Sequence, residues 1–456
     1  MKVPRNGACA QIAAFAAQFD PARLDAAADT AIRRAWIDTL AVTLAGRADP
    51  ASRRLLEYVR GRQGPRMALS WCDGAQLEEE SAALLNGSLA HVLDYDDVSL
   101  AMRGHPSVVF FPALLALAEN EDCSVADVTA AYAVAMQVAA ALGRAAVDTQ
   151  YARGWHSSAT IGMLGAAAGC ARLLRLDASA IAHAVGIAVS HVAGTQENFG
   201  TMSKALQTGH AASVAVRCAR LAALGFTASP SAIDGSRGYT ALYGADADFG
   251  ARLVESLAGP LEVSEGLEIK KYPMCYAAHR TLQGVLDLRS AHALALADVE
   301  RVEVVTSHQA LLPLLHARPQ TGLEAKFSLQ YGVAAALLDG QVGLASFTDA
   351  AVQRPEAQAF LPQVVAREAT GTTLPRWAEL ALWLKAGPVL SLRVEQLRGS
   401  GSAPLTSEEL GVKTADCLRH GASAVTADAL MQILRLPGAT PVRQTLAPLA
   451  AASASG

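Results

Sequence analysis

The stretch Asn86-Gly87-Ser88-Leu89-Ala90-His91-Val92-Leu93-Asp94-Tyr95-Asp96-Asp97 continues through Arg103-Gly104-His105-Pro106 into Pro112-Ala113-Leu114-Leu115-Ala116-Leu117-Ala118. It sets three carboxylates, two imidazoles and a guanidinium directly before an apolar run with helical character. Burying such a cluster is costly unless its charges face one another, a metal or a charged ligand. The stretch therefore predicts a helical protein with chemistry at the mouth of its core.

Outward from it, helical patterning dominates. Residues 24–46 carry Ile32, Trp36, Ile37 and Leu40 at three- and four-residue spacing and end at Gly46. Residues 125–147, 161–174, 179–193 and 205–224 repeat the pattern in Ala and Leu, both strong helix formers. Gly225 stands where a helix C-terminus belongs.

The character changes after about Tyr272. A helix over 277–291 is expected, then a β-type run at 302–305 and a helix over 327–338. Strand formers follow at 364–367, 380–384 and 389–394, with Gly387-Pro388 marking a hairpin between the last two. Beyond Pro404 the pattern returns to helix, with Thr406-Ser407-Glu408-Glu409 as an N-terminal cap. The last dozen residues, rich in Ala, Ser and Pro, are expected to fray. The expectation is a mainly α protein: a helical domain over 1–268, a smaller α+β domain over 269–402, and a return to helix over 403–456.

Composition narrows the function. A chain of 456 residues exceeds what one core usually serves. Hydrophobic residues at 52% against 18% charged favour a large interior and an extensive homodimer interface. A net charge of −4, with no basic run longer than two, excludes a counterion-driven nucleic-acid binder. Seven cysteines without a CxxC pair argue against zinc, disulfide and iron–sulfur sites and fit a cytoplasmic setting. The apolar run 8–19 reads as a first helix rather than a targeting peptide, and no uninterrupted apolar stretch makes a membrane span.

Each candidate residue has a plain reading beside its chemical one. Asp94, Asp96 and Asp97 serve either as caps and solvated turns or as acids and ligands. His91 precedes them. His105 sits between Gly104 and Pro106, outside helix interior, and either satisfies a carbonyl or reacts. Arg103 either clamps a substrate carboxylate or pairs with Asp96 or Asp97. His156, in Gly154-Trp155-His156-Ser157-Ser158, is either a general base or packed on Trp155; Ser157 or Ser158 would cap the next helix, whose N-terminus favours an anion. Lys204 at a helix N-terminus is electrostatically misplaced, which points to a carboxylate or enolate partner, against the alternative of a snorkelling surface lysine. Lys271 and His279 lie at the apparent domain junction, with Cys275 read as packing. No GxSxG, Walker loop, dinucleotide fingerprint or HExxH occurs.

Taken together, Asp, His, Arg and Lys without a cofactor or metal signature suit proton removal beside a carboxylate. A base (His156 or Asp94) takes the proton, and Lys204, Arg103 and imidazolium groups stabilise the dianion.

These segments, with Gly200-Thr201-Met202-Ser203-Lys204, Lys271-Tyr272-Pro273 and Ala325-Lys326-Phe327-Ser328-Leu329-Gln330-Tyr331, resemble the MmgE/PrpD family over essentially the whole chain. The resemblance implies the same two-part architecture, a homodimer, no cofactor, and an activity among 2-methylcitrate dehydration, cis-aconitate decarboxylation and iminodisuccinate epimerisation. It places active-site positions on Asp94, His105, His156, Lys204, His279 and Tyr331; the last follows from the resemblance alone. Val98 stands where the decarboxylase pattern has threonine. The 97–105 loop looks more like the epimerase branch, whereas Gln330-Tyr331 looks like the dehydratases and decarboxylases. The leading expectation is a lyase of the 2-methylcitrate dehydratase type acting on a small di- or tricarboxylate.

Overall fold

The computed structural model describes residues 7–62, 64–65, 67–146 and 149–453. The protein is mainly α, with twenty α-helices and two small sheets among the described residues. Most expected elements stand within a few residues of their sequence signals. Helix Ala26–Gly46 is capped by the Asp25 carboxylate, which accepts from the Ala28 amide at 2.8 Å. Helix Met202–Ala223 ends before Gly225, whose φ of +85° is the left-handed conformation a stop favours. Thr406 and Glu409 form a reciprocal capping box on helix Ser407–His420.

One large apolar cluster joins helices from both parts of the chain. It runs from Ala8 to Leu267 and takes in Leu410, Cys417, Leu430 and Leu446. At its centre helix Glu79–His91 packs against Met202–Ala223. Gly209 makes that approach possible, since a Cβ there would meet the Leu84 carbonyl oxygen at 2.1 Å. Helix Val125–Ala146 is long and apolar enough to cross a membrane by length and composition, against the expectation that no stretch would be. Its most apolar window is 89% buried among neighbouring helices, as a core helix would be.

A second cluster, from Tyr272 to Leu382, covers a four-stranded sheet. Strand Val299–Thr306 pairs in parallel with Val364–Glu368 and antiparallel with Ala378–Leu384, and Val389–Val394 completes the edge through the Gly387-Pro388 hairpin. Helices His279–His292 and Leu329–Asp339 pack on this sheet. Two local expectations are corrected. Residues expected to fray form helix Val442–Ser453, which buries Leu446 and Leu449; residues 454–456 lie outside the described set. Neither Ser157 nor Ser158 caps helix Ile161–Leu173; Thr160 occupies the N-cap, and its side chain makes no bond to the helix N-terminus.

Candidate active site

The opening stretch builds one wall of a cavity between the large helical cluster and the sheet. Helix Glu79–His91 stops at His91, and the chain turns sharply because Asp94 takes a left-handed φ of +51°. Aspartate tolerates this conformation better than most residues. Its carboxylate meets Lys204 Nζ through one oxygen and lies 3.1 Å from Lys270 Nζ through the other. Burial alone would push Asp94 up, but Lys204 and Lys270 reverse this and hold it well below the usual carboxylate range.

Asp96 and Asp97 order the wall rather than face the cavity. The Asp96 carboxylate accepts from His91 Nδ1 at 3.0 Å and lies 2.8 Å from His105 Nδ1. His105 Nδ1 also lies 3.0 Å from the Asp97 carbonyl oxygen. Both neighbours are acceptors, so Nδ1 carries the proton and His105 keeps Nε2 for the cavity. Asp97 caps helix Ser107–Ala118, accepting from the Ser107 amide at 3.2 Å and from its hydroxyl.

His156 is oriented by similar logic. Its Nδ1 lies 2.7 Å from Gln207 Oε1, while Gln207 Nε2 donates to the Thr195 carbonyl at 3.2 Å. That second bond fixes the amide, so an oxygen faces the ring and His156 Nδ1 must be the donor. Nε2 is left as a buried lone pair without a protein partner. Burial, with His91 and Lys204 nearby, holds the ring well below the usual histidine pKa. A neutral imidazole presenting a bare nitrogen is a general base in waiting.

Lys204 lies between the Phe199 and Phe327 rings, 5.3 and 5.0 Å from their centroids. The aromatic faces favour its charge and exclude water. The cavity holds about 130 Å³ and is lined by Asp94, His105, His156 and Lys204 from the helical side, with Arg103, whose guanidinium lies 4.3 Å over the Tyr151 ring. From the other side come Arg280 and Arg376. Among the described lining residues, four cations stand with one carboxylate, itself paired, which gives the cavity a positive character suited to an anion. At well under the roughly 300 Å³ where drug-sized pockets begin, it suits a small anion.

Five of the expected residues, Asp94, Arg103, His105, His156 and Lys204, therefore share one cavity, and His91 stands behind with its ring 4.5 Å from His105 and 5.8 Å from His156. The other four are placed elsewhere. Ser157 is fully buried against the Gln150 amide. Lys271 points to Glu409, 4.0 Å away. His279 is buried behind the wall, its Nε2 3.1 Å from the Met274 carbonyl, while Cys275, Tyr276 and Arg280 of the same segment reach the cavity. Tyr331 is buried in the second cluster, where its hydroxyl donates to the Ser346 carbonyl.

Sequence reasoning missed Gln207, Lys270, Arg280 and Arg376. Gln207 carries a weak signal, one turn beyond Lys204 on the same helix; the rest have none in local pattern. His91, Asp94, Asp96 and His105 offer ligand atoms within 4.8 Å of one another, a spacing that could hold a metal ion. The lone pairs of the two carboxylates are already directed elsewhere: Asp94 to two ammonium groups and Asp96 to two imidazole N–H donors.

Comparison with known proteins agrees with this architecture. The MmgE/PrpD N-terminal domain matches residues 10–252 and the MmgE/PrpD C-terminal domain residues 272–435. Among curated proteins the chain is similar to the cis-aconitate decarboxylase of Homo sapiens, 28% identical over 373 residues, covering 78% of this chain and 76% of that protein. The Mus musculus enzyme of the same name is 26% identical over 407 residues, covering 83% and 80%. That of Aspergillus terreus is 24% identical over 401 residues, with the same coverage. With two family domains matched in order across most of its length, this chain belongs to the MmgE/PrpD family.

Proposed function

We propose that the protein is a lyase that moves a proton at a carbon next to a carboxylate of a small di- or tricarboxylate. The observation that carries this is the neutral His156 with its free Nε2, set beside Lys204 in a cavity whose described lining holds four cations and one paired carboxylate. A substrate carboxylate on Lys204 brings its adjacent carbon towards the imidazole. His156 Nε2 takes or returns the proton, and Lys204 and Arg103 offset the charge that develops on the carboxylate oxygens. His105, held by Asp96, is the opposite acid in its imidazolium form, which carries a proton on Nε2 as well as on Nδ1.

Two lyase outcomes use this set. In dehydration the proton leaves carbon for His156, and the hydroxyl departs with a proton from His105. In decarboxylation the C–C bond to a carboxylate breaks, carbon dioxide leaves, and the carbon, which keeps the bonding pair, takes a proton from an imidazolium. The curated relatives, all cis-aconitate decarboxylases or similar to them, support the second outcome. Val98, in the cavity wall where the decarboxylase pattern has threonine, removes a hydroxyl from that wall and counts against the second. A second reading, an epimerase of the iminodisuccinate type, draws on the two imidazoles with Nε2 available, which inversion by two bases requires. The proposal includes a homodimer and no cofactor.

Proton NMR in deuterium oxide separates these. The protein is incubated with cis-aconitate, 2-methylcitrate, citrate and iminodisuccinate. New alkene signals with loss of water mark a dehydratase, carbon dioxide release a decarboxylase, and deuterium uptake without a new product an epimerase. No change with any of the four acids overturns the proposal.

The tautomer of His156 is directly testable. Its lowered pKa means the ring stays neutral as the pH falls through 6.5 and charges only well below it. Nitrogen-15 NMR at pH 6.5, with the signal assigned by its loss in His156→Gln, is expected to show a neutral ring protonated on Nδ1. An imidazolium signal there removes His156 as the resting base.

A further inference from the structure

The cations of this chain are mostly arginine; it holds only seven lysines. Four of these, Lys204, Lys270, Lys326 and Lys413, are buried, and all four converge on one turn. Lys204 meets the Asp94 side chain, and the other three bind backbone. Lys326 Nζ donates to the Leu93 carbonyl at 2.5 Å, Lys270 Nζ to the Asp94 carbonyl at 2.7 Å, and Lys413 Nζ to the Tyr95 carbonyl at 2.8 Å. We propose that Lys270, Lys326 and Lys413 are positioning residues: they grip three consecutive carbonyls and so hold Asp94 in the left-handed conformation that aims it at Lys204. This rests on the reading of Asp94 and Lys204 as part of the reacting centre.

The remaining bonds of the three ammonium groups fit such a clamp. Lys270 also reaches Asp94 Oδ2 at 3.1 Å, so it holds backbone and carboxylate together. Lys326 adds the Pro273 carbonyl at 2.9 Å. Lys413 adds the Lys270 carbonyl at 2.9 Å and the buried Asp38 carboxylate at 2.6 Å, tying two of the three grips to each other. The lysines lie 176 to 318 residues from the turn carbonyls they bind, so the turn is held from three separate segments. Burying an ammonium group is costly, and three around one turn imply a conformation that does not hold itself. Lysine suits the task because its compact head directs three N–H donors tetrahedrally, whereas arginine's planar fork cannot meet carbonyls on several sides.

The test uses two variants and two readouts. A crystal structure of Lys326→Met is expected to show Asp94 out of the positive-φ region and its pair with Lys204 opened. Asp94 unchanged in that structure overturns the clamp. Lys270→Met, assayed where circular dichroism shows it folded, is expected to lose about 10- to 100-fold in kcat, because small misplacements of reacting groups cost that much. KM should stay within about threefold, since the substrate-facing Lys204 is retained. A merely structural lysine would lower the melting temperature and leave kcat unchanged, and that result also overturns the proposal. If Lys326→Met does not fold, Lys326→Gln, which replaces the ammonium group by a shorter, uncharged amide, gives the same crystallographic readout. If the wild-type protein turns over none of the acids tested, the proposed reaction fails, while the structures still decide the clamp.

Discussion

His156→Ala is expected to lower kcat by about 10³-fold while leaving the fold intact, because general acid–base groups contribute about 10²–10⁴-fold. The ring is buried, but its Nε2 bonds to no protein group, and its Nδ1 bonds only Gln207. Truncation therefore strips the base from the cavity without breaking a core network. The check is a rate measurement on the acid that proves to be the substrate, beside a thermal melt. A variant that retains more than about a tenth of the wild-type rate, against the 10²-fold minimum for a general base, would hand the proton transfer to His105 or Asp94.

Lys204→Met is expected to abolish turnover and, unlike the His156 change, to destabilise the protein. It removes one of the two ammonium groups that compensate a buried carboxylate. Breaking a buried ion pair costs about 3–5 kcal/mol; Lys270 remains, so the lower end applies. The pH dependence has a definite sign. In the wild type, Asp94 is held well below its ordinary range, so its stabilisation is present above the unfolded-state pKa and lost only as the pH falls through the depressed folded value. In the variant Asp94 protonates at higher pH. The stability gap between the two proteins is thus full at neutral pH and narrows as the pH falls through the variant's Asp94 pKa. Urea unfolding at pH 7 and pH 4 reads this directly, and an equal gap at both values would contradict the pairing.

The two predictions separate what the two residues do. His156 is held at the rim of the core by one amide, so it can be lost cheaply. Lys204 is a structural counter-charge as well as a cavity cation, and the same bond to Asp94 serves both purposes. The misplaced positive charge at a helix N-terminus, visible in the chain order alone, has its explanation in that carboxylate.

What the chain order determined about this protein was local. Apolar spacing sets the helices, because a face repeating every 3.6 residues must be buried whatever it packs against. Thr406 with Glu409, Gly225, and Gly387-Pro388 mark boundaries through bonds and backbone conformations spanning a few residues. The same locality made His91 to Asp97 and His105 legible as one polar wall, since they are close in sequence as well as in space. Tertiary structure alone decided the rest. Nothing in Lys270-Lys271 says which lysine turns inward; burial of Lys270 against Asp94, with Lys271 left near Glu409, does. Nothing near Cys275 and His279 says that the cysteine reaches the cavity and the histidine lies behind it. Those outcomes depend on contacts between residues more than a hundred positions apart, where a buried ammonium group is stable only if distant carbonyls and carboxylates arrive to meet it.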